Sequence, residues 1–400
     1  MVVLVFGLCL HGRMLWYQWN EIVSGSGDFV AYYTAGKIIE TENISALADF
    51  KLQEQLQQRL NLSGQTEFLP FYHAPYQAIL FWPFSFLSYP NAHLVWSALS
   101  LILLILVFAR LAPFVDKKQT WLSGLILLAT YPTWLSFVKG QDTMMSALIL
   151  VCVFGYLKLG HDTLTGFTLA LGLYKPQLVL PIAGILAFSN HRHATASFVV
   201  TGLVLVAISL LMITWDGAIG LGLTLAARMR RGVLDYSFHM PTIRGLVSTL
   251  SSPYGNPTAA LALGAIVSIL LYTGCLMLLK NQFNGTNELF GLQFSFALVT
   301  TLLINPHSHA YEFVLLAISL IFAFDYVMRE APRQRFLRPC VLIVLLMFSL
   351  PVLPNLLASY RLMGLGSVPV LVLYFALWSE IRTSGRRSPN DRIGKNLRIL

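Results

Sequence analysis

Asp28 is the acidic residue best placed for proton transfer in this sequence. It follows the first apolar run, in the segment Gly25–Phe29, and Tyr32 and Tyr33 come soon after it. A carboxylate at a membrane boundary can act as a general base that takes a proton from an acceptor hydroxyl. An Asp before a helical run can also cap the free N–H groups of that helix, which is the commoner outcome. The residues alone leave both interpretations open.

Two polar clusters, Lys139–Asp142 and Tyr174–Gln177, interrupt the apolar sequence further along. Lys175 lies between two half-length apolar runs, and an ionisable residue in such a place is a candidate functional residue because burying an unpaired ammonium is costly. A lysine at a helix end whose ammonium reaches the membrane surface is the alternative. Gln141, in the first cluster, is a second candidate for substrate binding.

The segment Asn305–Glu312 is a dense polar patch between two strongly apolar runs, and it contains His307, His309 and Tyr311. Two histidines at i and i+2 point to different faces of a helix, which argues against a zinc site. Imidazoles and free backbone N–H groups at a helix start can instead bind a phosphate. An ordinary loop, with a Pro in the first helical turn and a Ser cap, is the alternative.

His239 and Arg244 lie in a polar segment that ends a long loop. The planar donor fork of a guanidinium suits phosphate recognition, and Arg244 is followed by Gly245. A solvated loop arginine is the commoner outcome for such a residue. Arg244 is therefore a weak candidate for phosphate binding by itself, and His239 is a candidate for substrate binding.

The elements that position these residues are predicted to be transmembrane helices. Hydrophobic residues make up 56% of the 400 residues and charged residues 11%, whereas soluble domains are about 25% charged. Apolar runs recur between short polar breaks, which predicts an all-α polytopic membrane protein with a single domain over residues 1–381. We expect about 11–13 transmembrane or re-entrant helices, several of them shorter than the ~20 residues that a straight span needs.

Two long loops and a C-terminal tail lie outside the apolar runs. The acidic first loop, residues 20–69, is predicted to form two amphipathic helices at residues 29–40 and 45–60. The second loop covers residues 216–257, and the basic tail covers residues 382–400. The basic breaks and the tail are predicted to be cytoplasmic, and the two loops extracytoplasmic. In residues 68–118 a re-entrant first half is favoured over a full hairpin, because it keeps Lys117 and Lys118 inside.

Several other classes of function lose support from the composition. The net charge of +9 comes from basic residues in the breaks between apolar runs, so no nucleic-acid partner is predicted. The four cysteines lie singly in apolar runs, which predicts neither a disulfide framework nor a zinc site. No Walker, GxGxxG, HExxH or GxSxG motif is present, which weighs against nucleotide-driven transport and serine hydrolysis.

The order of the polar segments is more specific than any one of them. It comprises Gly27-Asp28-Phe29 with Tyr32-Tyr33 and Ala35-Gly36, then Ala46 to Asp49, Gly140-Gln141, Gly172 to Pro176, Met240 to Gly245 and Asn305 to Tyr311. This order resembles glycosyltransferase family 87, which comprises polytopic bacterial enzymes of the GT-C fold and includes polyprenyl-phosphate-mannose-dependent mannosyltransferases. The resemblance extends over nearly the whole chain to about residue 330. His73-Ala74-Pro75 and Asn305-Pro306 replace the family's usual Tyr-Pro-Pro and Ser-Pro, which leaves the sugar and the acceptor open.

The resemblance implies a GT-C-like bundle with a helical extracytoplasmic first loop, in a bacterial inner membrane, with a periplasmic active site. It implies Asp28 as the general base that helps to transfer mannose or a similar hexose, with inversion, from a polyprenyl phosphate to a glycolipid or glycan of the cell envelope. No metal or other cofactor is expected, and the partners are the lipid-linked donor, the acceptor and membrane lipids. The candidate substrate-binding residues are Lys175, Arg244, His309, His307, Tyr311, Gln141, His239 and Tyr32. Of these, Lys175, Arg244 and His309 are expected to converge near Asp28 and hold the donor phosphate.

Two other classes of function stay open at this point. A polytopic transporter or lipid flippase also needs many spans and buried charges, although no internal repeat supports it. A non-catalytic subunit for envelope polysaccharide assembly would keep the fold without turnover, but such a protein has no need to keep Asp28, Lys175, Arg244 and His309.

Overall fold

The computed structural model describes residues 1–22, 24, 27–60, 62, 67–235, 239–251, 257–329 and 336–384. This part of the chain folds into α-helices and short 3-10 helices without a strand, which confirms the predicted all-α class. The α-helices are α1 (Val2–Glu21), α2 (Phe29–Thr41), α3 (Phe50–Leu60), α4 (Pro75–Ser85), α5 (Tyr89–Leu111), α6 (Thr120–Ala129), α7 (Tyr131–Lys139), α8 (Thr143–Lys158), α9 (Asp162–Leu171), α10 (Pro176–Phe188), α11 (Arg192–Asp235), α12 (Ile243–Ser251), α13 (Pro257–Leu279), α14 (Phe290–Ile304), α15 (Val314–Arg329), α16 (Leu337–Ser349), α17 (Val352–Ser359) and α18 (Ser367–Ser384). The 3-10 helices are Ile44–Ala48, Ala112–Phe114, Gly172–Tyr174, Ala310–Phe313 and Met363–Gly366.

Among the described residues, five helices are long and apolar enough to cross a membrane. They are α5, α11, α13, and α15 and α18 with the 3-10 turns that precede them. Two bent pairs, α6 with α7 and α16 with α17, raise the number to seven if each pair is one span. The multi-pass membrane protein is therefore confirmed, with fewer full spans than the predicted number of helices. The predicted first span, α1, is not among them.

Several apolar runs form helices that are too short to cross. Helices α8, α10 and α14 have 16, 13 and 15 residues. At about 1.5 Å per residue, each is shorter than the ~30 Å hydrocarbon core of a bilayer. None of the three is therefore long enough to cross the bilayer as a straight helix.

The helices run between two ends of the molecule, which we call the site end and the tail end. The site end contains Asp28 and Glu312. Helix α15 leads away from Glu312 to the tail end, where Asp325 accepts a 2.8 Å hydrogen bond from the backbone N–H of Asp116. Near the same end of α15, the Tyr326 hydroxyl lies 3.1 Å from Ser384 Oγ at the end of α18. Asp28 and the end of α18 therefore lie at opposite ends.

Residues 68–118 contain one helix of crossing length. Helix α4 has 11 residues, which cannot cross, and α5 then runs from the site end toward Asp116. Lys117 and Lys118 follow Asp116 directly, and they lie at the tail end together with the end of α18. This arrangement is the one that the favoured re-entrant prediction requires.

The first loop differs from its prediction. Helix α2 is not amphipathic, because Phe29 to Gly36 are all buried. The predicted second helix is divided at Asp49, whose Oδ1 accepts hydrogen bonds from the backbone N–H groups of Lys51 and Leu52 and caps α3. In the second predicted loop, α11 continues to Asp235 through a break at Thr214. Most of the predicted tail lies outside the described residues.

An aromatic cluster holds α2 in place behind Asp28. The rings of Tyr32 and Phe81 stack with centroids 4.6 Å apart, and those of Phe29 and Trp96 stack at 6.0 Å. All four side chains are buried. Aromatic pairs of this kind add about 0.5–1.5 kcal/mol each beyond the area that they bury. This cluster joins α2 to α4 and α5, so it determines where α2 begins.

The bend between α6 and α7 exposes the last carbonyls of α6, and side chains satisfy them. These carbonyls accept from Thr133 Oγ1 at 2.8 Å and from Trp134 Nε1 at 2.6 Å, and His11 Nε2 lies 3.1 Å from the third. Helix ends inside a membrane need such partners because no water is available there. The 50° bend is therefore a stabilised part of the fold.

The contact between α2 and α4 predicts that Gly36→Ala destabilises the protein. A Cβ at Gly36 would collide with the backbone carbonyl of Phe81, which cannot move independently of α4. We expect a loss of about 1–3 kcal/mol, the usual cost of overpacking, measured as a lower Tm in lipid nanodiscs. Gly12→Ala is the control, because a Cβ there meets nothing within 4 Å. An equal Tm for both variants would contradict the prediction.

Candidate active site

Asp28 lies between α1 and α2, one residue before α2 begins. Its φ of −73° and ψ of −9° are helical, and its side chain makes no capping hydrogen bond. Its Oδ2 instead accepts a 2.5 Å hydrogen bond from Gln141 Nε2. The carboxylate thus faces a distant part of the chain, and the interaction that the capping interpretation requires is not formed.

Two closely packed turns bring Gln141 to Asp28. A Cβ on Gly27 would lie 3.0 Å from the carbonyl oxygen of Lys139. Gly140 has a φ of 62°, and a Cβ there would lie 2.6 Å from the Cβ of Phe29. The left-handed conformation and the close approach both favour glycine. The Gly27 and Gly140 turns can therefore touch, and the side chains that follow them meet.

The Gln141 amide connects Asp28 to two further polar groups. The Tyr32 hydroxyl donates a 3.1 Å hydrogen bond to Gln141 Oε1, and it lies 3.4 Å from His73 Nε2. Because the Tyr32 hydroxyl donates to the amide oxygen, the amide NH2 group faces Asp28. A connected chain of this kind orients the carboxylate more firmly than a single bond would.

A buried ion cluster lies beside this chain. Lys175 Nζ is 2.7 Å from Asp142 Oδ1 and 3.4 Å from Glu312 Oε1. Gln77 Nε2 donates to the other oxygen of Asp142 at 2.5 Å. The Lys175 ammonium also lies 5.7 Å from the centre of the Tyr311 ring, within the range of a cation–π contact. Two carboxylates therefore share one ammonium, and Lys175 is paired rather than free.

The protonation of these groups follows from burial and charge. Burial raises the pKa of the Asp28 carboxyl, and Lys139 and the Gln141 hydrogen bond limit the rise. Burial disfavours the charge on Lys175, but Asp142 and Glu312 outweigh it and raise the pKa of the ammonium. Burial raises the pKa of Asp142, but the charge of Lys175 outweighs burial and lowers this pKa. The pKa of Asp28 thus moves toward neutrality, as suits a general base.

The histidine patch faces Arg244. The Arg244 guanidinium donates a 2.6 Å hydrogen bond to the carbonyl of Pro306, and within the described chain its buried Nε has no partner. The rings of His307 and His309 lie 5.0 Å apart, nearly perpendicular. Burial, followed by the neighbouring histidines and lysines, lowers the pKa of His309 to about 3. His309 is therefore neutral at pH 7 and can offer an N–H rather than a positive charge.

All the residues that the sequence predicted for the site lie at the site end. Lys139 and Lys175 are near enough to affect the charge of both Asp28 and His309. The charge of Arg244 lowers the pKa of His307, and the charge of His239 lowers the pKa of His309. The remaining candidates are connected through the contacts described above. The structure thus places Lys175 near Asp28 and Arg244 beside the histidine patch, while the convergence of Lys175, Arg244 and His309 on Asp28 and the functions of these residues stay predictions.

Four residues of the cluster were not predicted as site residues: Gln77, His73, Asp142 and Glu312. Asp142 and Glu312 stood inside polar segments that the sequence had already singled out. Gln77 lies within an apolar run, where its only signal was its polarity. Within the described residues, no three His, Cys, Asp or Glu side chains are grouped as ligands for a metal ion.

Comparison with known proteins assigns the family. The model of glycosyltransferase family 87 matches residues 71–306, more than half of the chain. No curated protein matches the chain, and no solved structure does. The matched range is shorter than the resemblance inferred from the sequence, which extended to about residue 330. It leaves out Asp28 and His307 to Tyr311. Gln141 and Lys175, which contact these outer segments, lie inside it. The chain therefore belongs to glycosyltransferase family 87.

Proposed function

We propose that this glycosyltransferase moves mannose or a similar hexose from a polyprenyl phosphate to a glycolipid or glycan of the cell envelope, with Asp28 as the general base. The observation that carries the proposal is the Asp28 carboxylate, which is oriented by Gln141 and makes no capping bond. Membership of the family favours sugar transfer over the alternative of a flippase or transporter.

Asp28 would act on the acceptor. The Gln141 hydrogen bond occupies Oδ2, so Oδ1 is the oxygen that takes the proton of the acceptor hydroxyl. The hydroxyl oxygen then forms a bond to the anomeric carbon while the bond from that carbon to the phosphate oxygen breaks. The electron pair leaves with the phosphate, and attack from the opposite face inverts the centre. This reaction as proposed uses no metal or other cofactor.

Arg244 and the histidines would hold the leaving phosphate. Arg244 makes no ion pair with a carboxylate of the described chain, and its planar fork matches phosphate oxygens. His307 and His309 would add N–H donors beside it. Lys175 is already paired with two carboxylates, which supports a role other than phosphate binding. Its ammonium would hold the turn that carries Gln141 and so keep Asp28 in position.

The charge distribution supports an extracytoplasmic site in the inner membrane. Lys117, Lys118, Arg329 and Arg382 lie at or beside the tail end. Basic residues concentrate on the cytoplasmic side of membrane proteins. The site end would then face outward, where both the lipid-linked donor and an envelope acceptor are available.

The first prediction concerns Asp28→Asn. The amide has nearly the same size as the carboxyl, but it cannot accept the acceptor's proton. Sugar transfer should fall by about 100-fold or more, the usual contribution of a general base. Transfer is measured with purified protein and polyprenyl-phosphate mannose, together with Tm.

Asp28→Ala extends this test, because the side chain caps no helix in the structure. Both variants should keep a Tm near that of the unchanged protein and lose activity alike. An active Asn variant would refute Asp28 as the base. A large loss of Tm in the Ala variant alone would restore the capping interpretation.

The second prediction concerns pH. Transfer requires ionised Asp28, so kcat should rise with pH through the Asp28 pKa, which burial raises above its ordinary value of about 3.9. Lys139 lowers that pKa, so Lys139→Gln should move the acidic limb of the kcat profile to higher pH. The exposed Lys51→Gln serves as the control. Superimposable profiles for the two variants would contradict the assignment.

The third prediction concerns orientation. A periplasmic reporter inserted near residue 61 and a cytoplasmic reporter fused after Leu400 should both be active, because the two positions are expected on opposite sides of the membrane. The exchanged reporters at the same two positions are the controls. Activity of the exchanged pair would contradict the predicted orientation and, with it, the proposal of an extracytoplasmic donor.

A further inference from the structure

A recess lies near the turn that carries Asp28, between α1, α7 and α17. Its volume is about 150 Å3, and its polar lining residues are His11, Gln18, Tyr131, Lys139 and Asn355. We propose that this recess binds the hydroxylated headgroup of a membrane-anchored acceptor lipid. The proposal rests on the function proposed above and assigns the place and the chemical class of the acceptor.

The recess is a product of the two helix bends. Helix α7 follows the 50° bend after α6, and α17 follows the 70° bend after α16. The Tyr131 hydroxyl donates a 2.8 Å hydrogen bond to Asn355 Oδ1 across the gap between α7 and α17. The His11 ring of α1 stacks on Trp134 of α7 with centroids 5.8 Å apart. These specific contacts thus fix the positions of the walls, as in a preformed binding site.

One end of the recess reaches the turn that carries Asp28. Ile22, Val138 and Lys139 line that end. Gly27, directly before Asp28, packs against the carbonyls of Val138 and Lys139. The charge of Lys139 also acts on the Asp28 carboxylate. This end of the recess therefore adjoins the turn that carries the base, and a headgroup in the recess would lie next to that turn.

The recess is separate from the residues proposed for the phosphate. Lys175, Arg244 and His309 do not line it. An inverting transfer needs the attacking oxygen and the leaving phosphate on opposite faces of the anomeric carbon. An acceptor site that does not include these residues leaves them available for the donor phosphate, so each substrate would have its own place.

The lining chemistry fits a sugar or polyol. The Gln18 amide has no hydrogen-bond partner among the described residues, and Asn355 Nδ2 contacts only the sulfur of Met14, at 4.0 Å. The Gln18 amide and the Nδ2 group of Asn355 therefore can hydrogen-bond to hydroxyl groups. The Trp134 ring and aliphatic side chains offer an apolar surface to the C–H face of a ring. At ~30 Å3 per water, the recess has room for about five waters, which suits one headgroup and no lipid chain.

The surface beside the recess fits the lipid part of the acceptor. Trp16 on α1 is 82% exposed, and Val352 and Leu356 on α17 are 67% and 51% exposed. Apolar side chains on the outside of a membrane protein face lipid rather than water. The chains of an acceptor could therefore stay in the bilayer beside α1 and α17 while its headgroup enters. A free sugar in water would gain nothing from this surface.

The test uses dodecyl glucoside with a photoreactive diazirine in its chain, added to the protein in lipid nanodiscs. We expect saturable labelling of α1 and α17. Gln18→Leu removes one amide and should raise the half-saturating concentration about tenfold, as loss of a hydrogen bond predicts. Leu15→Trp should fill the recess and abolish saturable labelling. Gln119→Leu, at the far end of the α6 and α7 pair, is the matched control and should label normally.

Labelling needs no sugar transfer, so two failures can be told apart. Labelling that is unsaturable, or equal in Gln18→Leu and the unchanged protein, overturns the recess even if transfer from polyprenyl-phosphate mannose is intact. Saturable labelling that both variants reduce supports the recess, and if transfer is then absent the donor assignment fails instead. Tm is measured for each variant, and Gln18→Leu alone decides the question if Leu15→Trp does not fold.

Discussion

Two buried carboxylates share one ammonium at the site end, and the positions of the surrounding helix ends depend on this cluster. Lys175 directly precedes α10, Asp142 directly precedes α8, and Glu312 lies in the 3-10 turn before α15. Removing one partner of a buried ion pair costs about 3–5 kcal/mol, because a charge is left uncompensated. Each helix end is therefore held by the others. Gln141 adjoins Asp142, so the same cluster fixes the amide that orients Asp28.

Buried polar side chains lie at the ends of three short helices. Asp142 and Lys175 precede α8 and α10, and Asn305 follows α14. Charges interact more strongly in buried surroundings than in water. An oriented carboxylate, a guanidinium and neutral imidazoles can then act on developing charge with little competition from solvent. The two helix bends form a recess whose Lys139 end lies beside the turn that carries Asp28.

Three outcomes depended on contacts between distant segments. Residues 29–40 were predicted to form an amphipathic helix, yet α2 is enclosed by the aromatic side chains of α4 and α5. Lys175 pairs with two carboxylates from distant segments, and its function in substrate binding stays a prediction. Several apolar runs form short or bent helices, as their lengths predicted, but only the structure shows which pairs are bent. In each case the outcome depended on a neighbour that lies far away along the chain.

By itself, the sequence determined the all-α membrane class, the polar segments that hold the site and, through their order, the family. Hydropathy and motif order are written along the chain, so these conclusions needed no partner contacts. The tertiary structure decided what Asp28 and Lys175 contact, which helices are long enough to cross and where the recess forms. Gln141 lies 113 positions from Asp28, and only close packing of the Gly27 and Gly140 turns brings the two together. Hydrogen bonds and ion pairs act over a few ångströms in space, whereas sequence patterns describe only near neighbours along the chain.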